Sequence, residues 1–159
     1  GEAATLEPLH EHLFEYKTHM MQNYGAGVQA CYRGPRLYDT PETQAAVTEV
    51  IQWYKKYRDI LNSDMIHLRR PDARDWDGFI HVNPHKKEKG LAMFFNPTHQ
   101  EITRTIHIPL YYTGLTQTAR IREKEQKPVT YKLNRDYTVE LTVKIPANGY
   151  TWYVVEAAD

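Results

Sequence analysis

The sequence lacks most of the features by which an enzyme or a nucleic-acid-binding protein is recognised. Its 159 residues contain one cysteine, Cys31, which excludes an internal disulfide framework and has no flanking motif of a nucleophile. Twenty basic residues balance twenty acidic ones. This neutrality disfavours nucleic acid as a partner, because phosphate binding needs a basic surface. No run approaches the roughly 20 consecutive apolar residues of a membrane span, so we expect no membrane partner.

Motifs for cofactors and metals are missing as well. The sequence contains no nucleophile elbow, P-loop or Rossmann glycine pattern, so we expect no cofactor. His10 and His12 are two residues apart, and on a helix they would point roughly 200° apart and could not share a metal ion. His81 and His85 are four apart, but Pro84 between them blocks a helix. The sequence therefore predicts no metal site.

Carboxylates are present, but their pattern does not indicate a catalytic pair. A glycosidase needs two carboxyl groups at a defined separation in a cleft. Here most of them lie beside lysines and arginines on polar strand faces, as solvated surfaces do: Glu101, Glu123, Glu125, Asp136 and Glu140. Residues 72–78 resemble part of a calcium loop, but Ala73 and Pro84 stand where an EF-hand needs acidic ligands. We interpret them as a turn held by aspartate side chains, and we predict no catalytic residue in this chain.

The first 63 residues have the hydrophobic spacing of helices. In the first helix, apolar residues recur at intervals of three and four: Leu6, Leu9, Leu13, Phe14, Tyr16, Met20 and Met21. Thr40 is the predicted N-cap of a second helix, with Pro41 at its first position, and this helix runs to about residue 61. Between the two helices, residues 27–32 are predicted to form one short strand.

From Met65 onward the apolar residues recur with a period of two. We predict strands near residues 65–70, 78–83, 90–96, 100–108, 117–123, 128–133, 137–145 and 149–156. Many short strands without intervening helices are typical of an antiparallel sandwich. The predicted fold class is α+β: a helical segment of two helices, residues 1–63, followed by an all-β sandwich of about eight strands, residues 64–159.

The aromatic residues leave two interpretations open. Twelve tyrosines and three tryptophans could form a platform for sugars, since the flat apolar face of a sugar lies well on an aromatic ring. Most of them fall on apolar helix or strand positions, where core packing explains them. Trp76, in the aspartate-rich turn, is the one we expect to be exposed.

Several ordered runs in the second half resemble one family of enzymes. The runs are DMIHLRRP at 64–71, DWDGFIHV at 75–82, GLAMFFNP at 90–97, IHIPLYYTGL at 106–115, ARIRE at 119–123 and VKIPANGY at 143–150. Together they resemble the C-terminal β-domain of α-galactosidase-like glycoside hydrolases. Thr116, Gln117 and the charged residues 122–125 depart from the family's usual spacing.

The resemblance implies a place for this chain in a larger enzyme. The first 63 residues would be the tail of a (β/α) barrel, whose active site lies at the C-terminal ends of its strands. Tyr32 and Arg33 would then border the substrate pocket, whereas the family's catalytic carboxylates lie on earlier strands that are not in this chain. An N-terminal barrel domain is the implied partner, and secretion or periplasmic export is the implied location.

Two function hypotheses result, from different classes. The first is a non-catalytic C-terminal accessory module of a glycoside hydrolase that hydrolyses O-glycosyl bonds. The alternative is an independent carbohydrate-binding module, with Trp76 and exposed tyrosines as the aromatic platform. Because a lone barrel strand has unpaired edges, we also expect residues 24–36 to be irregular, to pair with the sandwich or to pair with a second copy in a homodimer.

Overall fold

A computed structural model describes residues 8–28 and 38–158 of the chain. The chain divides into two compact units between Leu61 and Asn62, and each unit is described by itself. In the described part of the chain, neither α-helix is long and apolar enough to cross a membrane.

The first unit is helical. A short 3-10 turn, Leu9–Glu11, precedes helix α1, Leu13–Gly25, and helix α2 spans Pro41–Leu61. The hydroxyl of Thr40 accepts a hydrogen bond from the backbone N–H of Thr43 at 3.3 Å, which confirms the predicted N-cap of α2. The apolar stripes of both helices are buried, at Tyr16, Met20, Met21, Val47, Val50, Tyr57 and Leu61 among others.

The second unit consists of two antiparallel sheets, which confirms the predicted α+β class. The larger sheet has the strand order β1-β2-β3-β8-β5-β6, and the smaller one pairs β4 with β7. The strands are β1 (Asp64–Arg69), β2 (Asp77–Val82), β3 (Gly90–Phe95), β4 (Ile102–Pro109), β5 (Thr118–Glu123), β6 (Val129–Lys132), β7 (Thr138–Ile145) and β8 (Tyr150–Glu156).

The sandwich core forms between the two sheets. Strand β7 alternates regularly, and its inward side chains are all buried: Val139, Leu141, Val143 and Ile145. They join side chains of the larger sheet in one cluster, including Ile80, Ala92, Phe94, Ile121, Tyr153 and Val155. Burial of one face and exposure of the other is the pattern expected of an antiparallel sheet with one solvated side.

Strands β2, β3 and β8 depart from that alternation, because both of their faces are buried. All six residues of β3 are buried, although only Ala92 and Phe94 belong to the sandwich core. The opposite face of these strands is also largely apolar, with Phe79, Leu91, Met93, Phe95, Trp152 and Val154. The continuous apolar runs of the sequence correspond to this double burial.

Asn96 holds the corner that leads from the larger sheet to the smaller one. Its buried side-chain amide donates to the carbonyl oxygens of Gln100, Ile145 and Pro146 at 2.8, 3.1 and 3.1 Å. Its side-chain oxygen accepts from the backbone N–H of Thr98 at 2.9 Å. These bonds fasten the end of β3 to the end of β7, so the rim of the sandwich at this corner is fixed.

Candidate functional site

Trp76 is half-buried, so the prediction that it lies exposed was wrong. Its ring centroid is 5.8 Å from that of Phe94, and the indole packs against the sandwich core. A Cβ at Gly78 would come within 3.4 Å of the indole and 2.5 Å of the Met93 carbonyl oxygen. Glycine at position 78 therefore leaves the room that lets the turn fold back onto the core.

The turn before β2, residues 70–76, is held by aspartate side chains as predicted. Asp72 Oδ1 accepts hydrogen bonds from the backbone N–H groups of Arg74 and Asp75 at 2.9 and 3.2 Å. The guanidinium of Arg69 donates to Asp72 Oδ2 at 2.8 Å and to the carbonyl oxygen of Trp76. The hydrogen bond from Arg69 holds the pKa of Asp72 well below its usual range. We call residues 70–76 the tryptophan turn.

Asp77, directly after the tryptophan turn, has an altered proton affinity. The pKa of Asp77 is raised to about 6: burial raises it most, the nearby Arg69 guanidinium lowers it and the charge of Asp72 raises it. Asp75, the other neighbouring carboxylate, accepts a hydrogen bond from Arg104 Nε at 3.2 Å. Arginines and backbone amides thus bind the carboxylates of Asp72 and Asp75.

The residues implied by the barrel resemblance fall on a different part of the chain. Tyr32 and Arg33 lie outside the described residues, as does most of the predicted strand at 27–32. Within the described part, α1 ends at Gly25, and Gly27 follows with a φ of 76°. The predicted homodimer through residues 24–36 stays a prediction.

The carboxylates of the sandwich pair with cations or hydroxyl groups. Glu101 lies 3.5 Å from Lys144 Nζ, Glu140 lies 3.5 Å from His107 Nε2 and Glu125 lies 3.4 Å from Arg122. Glu123 and Asp136 instead accept hydrogen bonds from hydroxyl groups, Glu123 from Thr151 and Asp136 from Thr138. Except for the contact of Glu123 with the buried Thr151, these contacts lie on exposed strand faces and their turns.

Two of the candidate histidines, His10 and His81, have structural partners. In the helical unit, the side-chain nitrogen Nδ1 of His10 lies 2.7 Å from Asp39 Oδ2. Burial by itself would raise the pKa of Asp39, but hydrogen bonds from His10 and Thr43 outweigh it and lower the pKa to about 2. His81 is buried and its Nδ1 lies 3.2 Å from the Ser63 carbonyl oxygen. The described residues contain no group of three or more side chains able to hold a metal ion.

Two tyrosines stand out from the sandwich at the end of β4. Tyr111 and Tyr112 are 61% and 63% exposed, and their ring centroids lie 5.0 Å apart in an edge-to-face arrangement. They occupy a short 3-10 turn, Tyr111–Thr113, whose backbone is fixed by its neighbours. Leu110 is fully buried, and the hydroxyl of Thr113 donates to the Leu110 carbonyl oxygen.

A third tyrosine approaches this pair from the loop between β6 and β7. The ring of Tyr137 lies 5.4 Å from that of Tyr111. Tyr137 has a φ of 64°, a backbone region that bulky side chains rarely occupy. Two hydrogen bonds of 2.9 Å hold it there, from its N–H to the Asn134 carbonyl oxygen and from the Leu110 N–H to its own carbonyl oxygen. We call Tyr111, Tyr112 and Tyr137 the tyrosine surface.

A pocket opens beside the tyrosine surface. It has a volume of about 390 Å³, which lies within the range of small-molecule sites. The pocket lies between the segment that enters β5 and the loop that leaves β6, and Tyr137 forms part of its wall. Tyr137 therefore joins the exposed tyrosine pair to the pocket.

The polar side chains of the pocket are positively charged or neutral. Lys132 and Arg135 line it together with Gln117 and Asn134, and no carboxylate is among the lining residues. Within the described part of the chain, the side chains of Lys132, Arg135 and Gln117 make no hydrogen bond or ion pair. The pocket thus combines an aromatic wall with hydrogen-bond donors that have no protein partner there.

Sequence reasoning missed the tyrosine surface. A local signal for exposed tyrosines was present in the run Tyr111-Tyr112-Thr113-Gly114, because two adjacent aromatic residues directly before a turn glycine have little room in a core. The contact of Tyr111 with Tyr137 had no local signal. It depends on the pairing of β4 with β7, in which Pro109 lies opposite Thr138.

The comparisons with known proteins find likeness in structure. No protein-family model and no curated protein matches the sequence. Among solved structures, a GH27 β-L-arabinopyranosidase from Geobacillus stearothermophilus matches 91% of this chain with a TM-score of 0.61 and 11% identity. Alpha-galactosidase I from Mortierella vinacea matches 91% with a TM-score of 0.59 and 14% identity. At such identities the likeness shows the fold.

The same fold extends to a further group of sugar-cleaving enzymes. An α-amylase from Geobacillus thermoleovorans matches 91% of the chain with a TM-score of 0.58 and 14% identity. The chain spans 30%, 36% and 33% of the lengths of the three enzymes, about a third of each. The fold resemblance to α-galactosidase-like glycoside hydrolases is therefore confirmed.

Proposed function

We propose that this chain is a non-catalytic accessory module, C-terminal in a longer glycoside hydrolase. The observation that carries the proposal is the match of nearly the whole chain to about a third of three different glycoside hydrolases. A chain that matches only a third of an enzyme supports an accessory role, in which the catalytic residues lie elsewhere in the longer protein. The parent reaction in this proposal is hydrolysis of an O-glycosyl bond.

The extent of the match indicates that the part of the enzymes resembling this chain begins before the sandwich. The second unit, residues 62–159, makes up 98 of the 159 residues and cannot by itself account for 91% coverage. The matched part must therefore include residues of the helical unit. This agrees with the interpretation of residues 1–63 as the tail of a barrel, in which Tyr32 and Arg33 would border the substrate pocket.

The second apolar face of the larger sheet supports a structural role. A two-layer sandwich needs to bury only one face of each sheet. In β2, β3 and β8 the other face is apolar too, with Leu91, Met93 and Trp152 among its side chains. Because this face is already buried in the chain, we assign it to the stability of the module itself, since burial of apolar area stabilises a fold.

The contacts of the carboxylates support the absence of catalysis in this chain. Glu101 pairs with Lys144 and Glu125 with Arg122, and Glu140 lies 3.5 Å from His107 Nε2, on the polar faces and turns of the sandwich. A glycosidase instead requires two carboxyl groups that face one another across a bound sugar. We therefore expect the purified chain to turn over none of the aryl α-galactosides, β-L-arabinopyranosides or α-glucosides. Turnover that disappears on mutation of one of its own carboxylates would contradict the proposal.

The length of the natural protein provides a second test. An antibody raised against this chain should detect, in the organism that carries the gene, a protein about three times as long, as the one-third coverage implies. Absorption of the antibody with the purified chain is the control and should remove the signal. A single band at the 18.7 kDa of this chain would contradict the accessory-module proposal.

A further inference from the structure

We propose that the tyrosine surface and its adjoining pocket form a carbohydrate-binding site that takes the pyranose units of an oligosaccharide. The site is distinct from the tryptophan turn: its residues lie on the turn after β4, the segment that enters β5 and the loop between β6 and β7. The inference stands on the geometry of the sandwich and holds whether or not the accessory-module proposal is correct.

The exposed rings provide the apolar half of such a site. One side of a pyranose ring presents C–H groups, and these pack against the electron-rich face of an aromatic ring. Tyr111 and Tyr112 are both more than 60% exposed, so their rings are open to a ligand without rearrangement of the core. The buried Leu110 and the hydrogen bond from Thr113 fix the turn that presents them. A prearranged turn reduces the conformational entropy that binding would otherwise cost.

The backbone of Tyr137 provides an independent indication of function. A tyrosine at positive φ has a strained backbone, and residues strained in this way cluster at binding and catalytic sites. Glycine or asparagine would fit the same backbone more easily. The tyrosine at this position places an aromatic ring between Tyr111 and the pocket.

The pocket provides the polar half. Sugar hydroxyl groups both donate and accept hydrogen bonds, and the amides of Gln117 and Asn134 can serve them in either sense. Lys132 and Arg135 add charged donors that no lining carboxylate neutralises. We therefore infer that a sugar bearing a carboxylate binds more tightly than its neutral counterpart.

Calorimetric titration of the full chain tests the proposal with two probes, a galacturonate trimer and a galactose trimer. Both should bind in the millimolar range or tighter, and the acidic trimer should bind about fivefold tighter at low salt. The preference should disappear near roughly 0.5 M salt, because the interaction of exposed charges is screened. No heat and no saturation with either trimer up to about 20 mM would overturn the proposal.

Matched variants locate the binding. Tyr111→Ala should weaken binding of both trimers by about tenfold, the order of magnitude of a lost aromatic contact. Tyr38→Ala is the control, because Tyr38 is an exposed tyrosine of the helical unit, 45% accessible, and should leave affinity unchanged. Equal weakening by both variants would overturn the assignment of the site. Circular dichroism and thermal unfolding of each variant separate loss of binding from loss of fold.

A second pair of variants tests the charged donors. The double variant Lys132→Ala and Arg135→Ala should abolish the preference for the acidic trimer and retain binding of the neutral one. The matched control, Arg70→Ala with Lys127→Ala, removes two exposed cations outside the pocket and should retain the preference. Sedimentation tests whether a second copy of the chain occupies the surface instead of a sugar. A chain that binds neither trimer and forms a dimer that Tyr111→Ala dissociates would overturn the proposal.

Discussion

The tryptophan turn and the tyrosine surface both place aromatic residues in loops of the same sandwich, and they use them in opposite ways. The ring of Trp76 packs on Phe94, while arginines and backbone amides bind the carboxylates of Asp72 and Asp75 in the same turn. Tyr111 projects from its turn, beside a pocket whose cations have no partner in the described part of the chain. The comparison teaches that an aromatic residue in a loop does not by itself distinguish a binding role from a structural one. The distinction depends more on whether the neighbouring polar groups already have partners within the protein.

The largest expected effect is on the stability of the sandwich. Trp76→Ala should lower its free energy of unfolding by about 2–3 kcal/mol, because it removes a large ring from the edge of the core. Trp76→Phe, which retains a ring beside Phe94, should cost less than half of that. Chemical denaturation measures both. A Trp76→Ala variant as stable as the parent would remove the distinction between the two regions.

Asp77, directly after the tryptophan turn, makes the stability of this region dependent on pH. Because the folded protein raises the pKa of Asp77 to about 6, above the ordinary value of 3.8, the folded state binds the proton more tightly than the unfolded state. The stability that Asp77 contributes is therefore full below about pH 4 and is lost as the pH rises to about 6.

Asp77→Asn should accordingly stabilise the protein at pH 7.5, by on the order of 1 kcal/mol after allowance for partial solvation, and should have little effect near pH 4. Thermal unfolding across this range measures the difference. Asp64→Asn, at an exposed position of β1, is the control and should show no such dependence. A gain that is the same at both pH values would contradict the assigned cause.

The smallest expected effect is on the stability of the tyrosine surface. Tyr111→Ala should change the free energy of unfolding by less than about 0.5 kcal/mol, because the side chain is largely in water. The same variant is expected to lose most of the sugar affinity. A destabilisation as large as that of Trp76→Ala would show that Tyr111 is a packing residue and would undo the comparison.

The sequence was sufficient to predict the fold where a residue's environment depends on its own strand or helix. The alternation of residues 138–145 predicted β7, and Thr40 with Pro41 predicted the start of α2. The apolar run of β3 predicted a strand, and its burial on both faces came from the structure. Helix α1 begins at Leu13, after the 3-10 turn Leu9–Glu11, so the predicted helical stripe was wrong at Leu9, whereas Leu6 lies outside the described residues.

The candidate site could not be predicted in the same way, because its contacts join distant parts of the chain. Trp76 lies between two aspartates and was predicted to be exposed, yet its packing partner Phe94 follows 18 residues later. Tyr111 and Tyr137 are 26 residues apart and meet through the pairing of β4 with β7. The positive φ of Tyr137 is a property of a folded loop, and no residue pattern announces it.

The most direct test of the contrast between the two regions is an amide NMR titration of the full chain with the galacturonate trimer. The account predicts saturable shifts at residues 111–113 and 133–138, around the tyrosine surface and its pocket, and unchanged amides at residues 70–77. Saturable shifts confined to residues 70–77 would restore Trp76 as the sugar platform and contradict the account.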